Sequence, residues 1–258
     1  MKNFKDKIVV ITGAASGIGW ALAERLTKEG AQLVLSDLNE QALVEKAKIL
    51  SAIAIPANVG VEADIKYLVD QTILHYGRID LFVSNAGIAY PAGIDIAIDK
   101  WKQIYDINVL SQVYAAKYVL PIMLAQGSGY LLNTASAAGL LTEFNSAPYT
   151  VTKHASVALS EWLALNYKNK GIQVSVLCPA AVKTPMIANS PSLEKYAIEV
   201  EEVIDKVIEA LAENRFMIST HAYIDQLFRL KGNNYEEYLQ TMEKYRKETE
   251  ELDQHRQS

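Results

Sequence analysis

The feature that most restricts how this chain can fold is a glycine-rich turn set between a β-branched run and a helical pattern. Ile8-Val9-Val10-Ile11 leads directly into Thr12-Gly13-Ala14-Ala15-Ser16-Gly17-Ile18-Gly19, and the residues from Gly17 to Glu29 then keep a helical period that stops at Gly30. Glycine is needed where a chain turns sharply out of a strand, where its backbone must approach a pyrophosphate, and where the next helix packs closely on the sheet. The N-terminus of that helix leaves N–H groups free for an anion. On these residues alone the segment reads as a dinucleotide-phosphate cradle or as a tight turn without ligand; its strand-to-helix setting favours the cradle.

The same alternation runs on. Gln32-Leu33-Val34-Leu35, Ile53-Ala54-Ile55, Leu81-Phe82-Val83, Tyr130-Leu131-Leu132-Asn133 and Gln173-Val174-Ser175-Val176-Leu177 read as further strands, with a last short one at Phe216-Met217-Ile218 and helical patterns between them. Strands alternating with helices predict an α/β fold whose parallel sheet has helical crossovers. The chain has 258 residues, half of them hydrophobic, enough for one domain with a large core. No solenoid-range repeat and no Pro/Gly/Ser-rich linker divides it, so residues 1–232 read as a single domain. After Gly232-Asn233-Asn234 the composition turns to Glu, Lys, Gln and Tyr. Tyr235, Tyr238, Leu239 and Met242 recur there at helical spacing, which predicts a charged helical extension over 233–258.

Several function classes are excluded early. The net charge is −5 and the Lys and Arg residues are scattered, so nothing attracts a nucleic-acid backbone. The apolar run after the charged N-terminus is too short for a signal peptide, and no uninterrupted apolar stretch reaches the ~18 residues of a membrane span. Cys178 is the only cysteine and reads as a small buried hydrophobe; with no intramolecular disulfide available, a cytoplasmic protein is expected. His75, His154, His221 and His255 share no ligand spacing, so no metal is expected. His154 reads as a helix-surface residue, and Trp101, Tyr105, Trp162 and Tyr167 as core or interface aromatics.

The spacing Gly13-x-x-x-Gly17-x-Gly19 differs from the common Gly-x-Gly-x-x-Gly and resembles the short-chain dehydrogenase/reductase family. Further matches extend through Thr184 and cover most of the chain. The resemblance implies a Rossmann-type doubly wound parallel sheet, a nicotinamide cofactor, and a small alcohol or carbonyl compound as substrate.

Within that frame Gly13, Ser16, Gly17, Ile18 and Gly19 form the pyrophosphate turn. Asp37, at the end of the second strand and about twenty residues on, can accept hydrogen bonds from the adenosine ribose, and a 2′-phosphate there would meet like charge. Ala15 and Leu38 stand where the family often carries a phosphate-binding Arg or Lys, so NAD is expected over NADP. Asp37 also reads as a helix N-cap feeding Asn39-Glu40. Asn58-Val59 resembles the family's adenine-contacting Asp-Val, with the charge missing. Ser84-Asn85-Ala86-Gly87 resembles Asn-Asn-Ala-Gly, a segment that steadies the sheet and passes near the cofactor.

Tyr149 and Lys153 are four residues apart, so on a helix they share a face. Such a pair is common on helix surfaces, but a neighbouring ammonium also lowers a phenol's pKa and fits it for proton transfer. Ser136 stands thirteen residues before Tyr149 and just past the fifth strand, the end of a parallel sheet that faces ligand. The resemblance implies Tyr149 as acid/base, Ser136 as the carbonyl-orienting serine, and Lys153 as both pKa tuner and ribose contact. It implies Asn108 as holder of a relay water against the lysine; the residue also reads as a buried polar group bonded to backbone. Pro179-Ala180-Ala181-Val182-Lys183-Thr184 resembles Pro-Gly-x-Val-x-Thr, with Val182 and Thr184 as nicotinamide contacts and Ala180 in place of glycine. The family further implies a substrate lid at about 185–212 and a homotetramer or dimer built on the helices carrying Asn108 and Tyr149. A non-catalytic NAD-binding regulator or scaffold, and an epimerase or dehydratase using the same Tyr/Lys pair, are the competing readings.

Overall fold

The computed structural model describes residues 1–188 and 190–254. Strands and helices alternate from the start: β1 (Ile8–Thr12), α1 (Gly17–Lys28), β2 (Gln32–Ser36), α2 (Glu40–Leu50), β3 (Ile53–Ala54), α3 (Glu62–Tyr76), β4 (Leu81–Ser84). A long helical stretch follows as α4 (Ile98–Tyr105) and α5 (Ser111–Gln126), joined through a π-helical turn at Asp106–Leu110. Then come β5 (Gly129–Thr134), α6 (Ala147–Tyr167), β6 (Ile172–Cys178), α7 (Pro191–Glu194), α8 (Val200–Glu213), β7 (Met217–Ser219), α9 (Ala222–Asn233) and α10 (Tyr235–Gln254). The sheet order is β3-β2-β1-β4-β5-β6-β7 and every pairing is parallel. This is the doubly wound Rossmann-type sheet expected, and the seven strands lie within two residues of the runs read from sequence.

Strand side chains alternate between the two faces, and each face has its own helical cover. From β1 and β4, Val9, Ile11, Leu81 and Val83 pack on one side with Leu22 and Leu26 of α1, Leu43 of α2 and Val203, Val207 and Leu211 of α8. Val10 and Phe82, one residue out of phase, pack on the other side with Leu68 of α3, Val119 and Met123 of α5 and Leu163 of α6. Each such side chain, fully buried, contributes about 1.5–3 kcal/mol before the cost of ordering the chain. The stretch Ile98–Gln126 is long and apolar enough to cross a membrane by length and composition, with half of its most apolar window buried. Its Ala115, Ala116, Val119, Leu120 and Met123 face the sheet, which accounts for that apolarity as core packing.

Two segments pack differently from their expected form. Helix α8, the second half of the 185–212 lid, buries Val203, Ile204, Val207, Ala210 and Leu211 in the core beside α1, so it is scaffold. The residues that meet the cleft come before it, Thr184, Pro185 and Met186, just after Val182, which forms a bridge with Ile198. At the C-terminal end, α9 runs through Gly232, and the break falls at Asn234, whose side-chain oxygen accepts from Glu237 N and starts α10. Tyr238 and Met242 of α10 are 1% and 8% exposed and pack with Ala135, Ala137, Leu140, Leu141 and Cys178, so this helix completes a third core cluster under the β5–α6 connection. Residues 255–258, His255 included, lie outside the described residues.

Candidate active site

In a doubly wound sheet, ligands bind beyond the carboxyl ends of the strands where the strand order reverses. Here β1 lies between β2 and β4, and a cleft of about 340 Å³ opens at that point. The glycine turn forms one wall, with Gly13, Ser16, Gly17 and Ile18 lining it. Ser16 is the N-cap of α1 and its hydroxyl makes no cap hydrogen bond, which leaves it and the helix's first N–H groups available to an anion. Gly13 adopts φ +65°, and a Cβ there would stand 2.8 Å from Ala86 Cα. Gly19 does not line the cleft; a Cβ on it would lie 2.2 Å from the Gly13 carbonyl oxygen, so its task is to let α1 pack on the turn.

Asp37 and Leu38 extend the wall at the end of β2. The Asp37 carboxylate accepts from Ala15 N and Asn39 N, both at 3.0 Å, which fixes its orientation in the cleft. The N-cap of α2 is Asn39, whose side chain accepts from Ala42 N at 3.1 Å, so the capping role considered for Asp37 falls two residues later. Asn58 and Val59 line the far side, but the Asn58 side-chain oxygen accepts from Gly60 N at 3.0 Å, a local turn bond.

Asn85 both knits the sheet and faces the cleft. Its Nδ2 donates to the carbonyls of Thr12 and Gly13 at 3.1 and 3.3 Å, its backbone N–H to Thr12 Oγ1, and its Oδ1 accepts from Thr134 Oγ1, so one side chain joins the ends of β1, β4 and β5. Ala86 and Gly87 continue the lining. Thr184 lines the cleft, whereas Val182 is buried and accepts from Thr184 Oγ1 through its carbonyl. Ala180 replaces a glycine without strain, since it is absent from the positive-φ residues among those described, and its N–H donates to Thr220 Oγ1.

The remaining residues converge at the end of β5. Helix α6 starts at a Ser146 cap whose Oγ accepts the N–H of Tyr149 itself, with Pro148 in the first turn, so the cap fixes the helical phase of Tyr149 and Lys153. Both line the cleft, with the Lys153 Nζ 5.5 Å from the Tyr149 ring centre and donating to the Thr134 carbonyl at 3.0 Å. Ser136 caps a short 3₁₀ turn by accepting from Ala138 N and donates to the Pro179 carbonyl at 3.4 Å. Asn108 is fully buried in the π-helical turn. It exchanges hydrogen bonds with the Ile88 backbone at 2.9 and 3.0 Å and donates to Thr152 Oγ1 on α6 at 3.2 Å. The π-turn adds a residue to the helix and swings Asn108 toward α6. Gly87 lies between the two: a Cβ on it would be 3.2 Å from Asn108 Oδ1 and 3.4 Å from Lys153 Nζ.

Electrostatics depart from the simple Tyr–Lys expectation. Burial pushes the Tyr149 phenol up to about 12, opposed by the Ser136 hydroxyl and reinforced by the negative charge of Glu143. Lys153 is itself pushed down by burial to about 8. Desolvation is the largest cause of both shifts, upward for the phenol and downward for the ammonium. Burial likewise lifts the Cys178 thiol to about 12, the behaviour of an inert core thiol. His154 is half-buried, its Nδ1 at the Thr150 carbonyl and its Nε2 3.2 Å from Lys231 Nζ on α9, so it faces a covering helix and not solvent. Trp162 is 56% exposed. Among the described residues no three His, Cys, Asp or Glu side chains gather as a metal site.

Sequence reading did not single out Ile88 and Ile107, which also line the cleft, nor Glu143, whose charge raises the Tyr149 phenol. Ile88 and Ile107 adjoin recognised motifs, but an apolar residue beside a motif carries no signal of its own.

A dinucleotide-type cleft at the switch point of a doubly wound sheet, ending on a half-buried Tyr149 with Lys153 and Ser136 buried behind it, defines a nucleotide-binding α/β oxidoreductase. A sequence profile of the family described as short chain dehydrogenase matches residues 7–195, and the chain belongs to that family. It is 35% identical to the CLA biosynthesis dehydrogenase/reductase of Lactiplantibacillus plantarum, covering 86% of this chain and 90% of that one. It is 32% identical to the cyclohexanol dehydrogenase of an Acinetobacter species, covering 86% and 94%. Among solved structures it is similar to a short chain dehydrogenase/reductase from Burkholderia phymatum in complex with NAD, at a TM-score of 0.85 and 30% identity, covering 92% and 96%.

Proposed function

We propose that this chain is an NAD-dependent oxidoreductase that moves a hydride between the nicotinamide and a secondary alcohol or ketone, with Tyr149 as the acid/base. The observation that carries the reading is a single cleft that holds the glycine turn and Asp37 and also Tyr149 and Lys153, with Ser136 in the turn that follows β5. The cyclohexanol dehydrogenase and the NAD-bound relative support the substrate class and the cofactor.

The donor set fits such a cofactor: free N–H groups at α1 for the pyrophosphate, the Asp37 carboxylate for the adenosine ribose, Asn58 and Val59 toward the adenine, and Val182 and Thr184 toward the carboxamide. When bound, the nicotinamide supplies or accepts the hydride. In the reducing direction Tyr149 gives its phenolic proton to the carbonyl oxygen while Ser136 donates a hydrogen bond to the same atom; oxidation reverses both steps. A phenol raised to about 12 is protonated at neutral pH, the form that reduction requires. Lys153 holds the nicotinamide ribose and places positive charge beside the phenol. Asn108, anchored to α6 through Thr152, holds the relay that returns a proton to Lys153 across the gap beside Gly87. A panel of alcohols and ketones, followed by nicotinamide absorbance with NAD and NADP in parallel, tests the reaction; no turnover with any member would sink it.

NAD preference rests on Asp37. Asp37→Ala is expected to raise KM for NAD by ~10-fold or more, the scale of a hydrogen bond to a charged group, and to narrow the gap to NADP. A wild-type chain that prefers NADP overturns the assignment. We also propose a homodimer or homotetramer built on α5 and α6, which expose Leu124, Trp162 and Leu165. Light scattering on the purified chain should give a multiple of the 28.5 kDa protomer mass; a monomer at micromolar concentration removes the proposal.

A further inference from the structure

Ser136 and the Tyr149–Lys153 pair come from two separate pieces of chain, the short turn Ala137–Gly139 after β5 and helix α6. The two pieces meet without a side chain between them. A Cβ on Gly139 would stand 2.5 Å from the Lys153 carbonyl oxygen and 2.9 Å from Val157 Cγ2, so the turn rests on the helix at the catalytic lysine itself. That contact sets how near the turn can come. Something else must keep it there.

Lys231, near the end of α9, bonds to both pieces. Its Nζ donates to the Leu140 carbonyl at 2.7 Å, where the turn ends, and lies 3.2 Å from Nε2 of His154, the residue after Lys153 on α6. The His154 Nδ1 is 3.0 Å from the Thr150 carbonyl. A carbonyl only accepts, so Nδ1 carries the ring proton and Nε2 is the acceptor that meets the ammonium. The same ammonium lies 5.5 Å from the ring centre of Tyr238 on α10, within cation–π range. Helix α9 is anchored in turn by Ile224, which is 4% exposed, and by Leu227 and Leu230, all packed in the cluster that holds Ala135 and Ala137.

Burial lowers the pKa of Lys231, and among the described residues no carboxylate offsets it. A half-buried ammonium costs free energy unless acceptors meet it, and a methionine would fill the same space without that cost. What the ammonium adds is its two bonds.

We propose that Lys231 is a positioning residue: by bonding at once to the Leu140 carbonyl and to His154, it holds the turn that carries Ser136 against the part of α6 that carries Tyr149 and Lys153. Ser136 and Tyr149 act on one substrate oxygen, and a misplacement of about 1 Å can cost ~100-fold in rate. The glycine turn and Asp37 belong to β1, α1 and the end of β2, to which Lys231 makes no bond, so NAD binding does not depend on it. The kinetic consequence rests on the oxidoreductase reading; the clamp itself does not.

The test compares wild type with Lys231→Met, which keeps the apolar stem, Lys231→Arg, which keeps donors for both acceptors, His154→Leu, and the double variant Lys231→Met/His154→Leu. With the alcohol that wild type oxidises fastest, Lys231→Met should lower kcat by about 10-fold or more while KM for NAD stays within about twofold. Lys231→Arg should return to within about threefold of wild type, and the double variant should be no slower than Lys231→Met, because both changes break one clamp. A kcat near wild type in Lys231→Met, an arginine variant as slow as the methionine one, or losses that multiply in the double variant would overturn the proposal. Hydrogen exchange reads the clamp without turnover: in Lys231→Met it should speed up by ~10-fold in the Ser136–Phe144 connection and the first half of α6, and stay unchanged in β1 and α1. If wild type oxidises no alcohol and exchange still rises at those two places, hydride transfer to this class fails and the clamp stands. Unchanged exchange there, or a uniform rise along the chain in both Lys231→Met and His154→Leu, removes the clamp.

Discussion

Replacing Tyr149 by phenylalanine is expected to leave a folded chain that binds NAD and turns its substrate over at least about a thousandfold more slowly, the upper range for losing a positioned acid/base. The ring keeps its packing, and Ser136 retains its bonds to Ala138 N and the Pro179 carbonyl when the phenol is gone. Lys153 keeps the Thr134 carbonyl. The loss should therefore appear in kcat with NAD affinity nearly unchanged, measured by nicotinamide absorbance for turnover and by calorimetry for binding. A variant that retains a tenth of wild-type kcat would remove Tyr149 from the chemistry. Such a result would favour the non-catalytic regulator, in which the cleft binds NAD and the phenol is only packing.

The second large effect concerns stability. Tyr238 is 1% exposed within the cluster formed by Leu140, Leu141, Ala137 and Met242, so Tyr238→Ala is expected to cost about 3–5 kcal/mol. For a chain of this size that lowers Tm by roughly 10 °C. Tyr235→Ala, one turn earlier on the same helix and 55% exposed, should shift it by no more than a degree or two. The paired melting curves separate a helix that belongs to the core from one that merely follows it. Similar curves for the two variants would mean that α10 contributes nothing to the fold. Because the cluster also contains Ala135 and Ala137 on either side of Ser136, the Tyr238 variant should lose activity well below its melting temperature.

Much of this was legible in the chain. Seven β-branched runs spaced by helical patterns require a parallel sheet, because parallel neighbours can be joined only by long crossovers. The glycine turn, Asp37, Asn85 and the Tyr149–Lys153 pair were readable because each is a local pattern: its members lie within a turn, a strand end or one helical repeat. Their common location also followed, since in such a sheet the carboxyl ends of the strands all open on one crevice.

What sequence could not supply depended on contacts between distant segments. Helix α9 meets the connection before α6 and α6 itself through Lys231, whose Nζ donates to the Leu140 carbonyl and lies 3.2 Å from His154 Nε2, though these residues are remote in sequence and share no motif. The role of α8 as scaffold and the burial of Tyr238 are likewise set by which surface each apolar stripe meets, and an amphipathic stripe does not name its partner. Even the state of Tyr149 was a tertiary matter. The sequence by itself determined that a phenol and an ammonium share a helix face; only the fold, by seating both at the inner end of the cleft, decided that desolvation raises the phenol and lowers the ammonium.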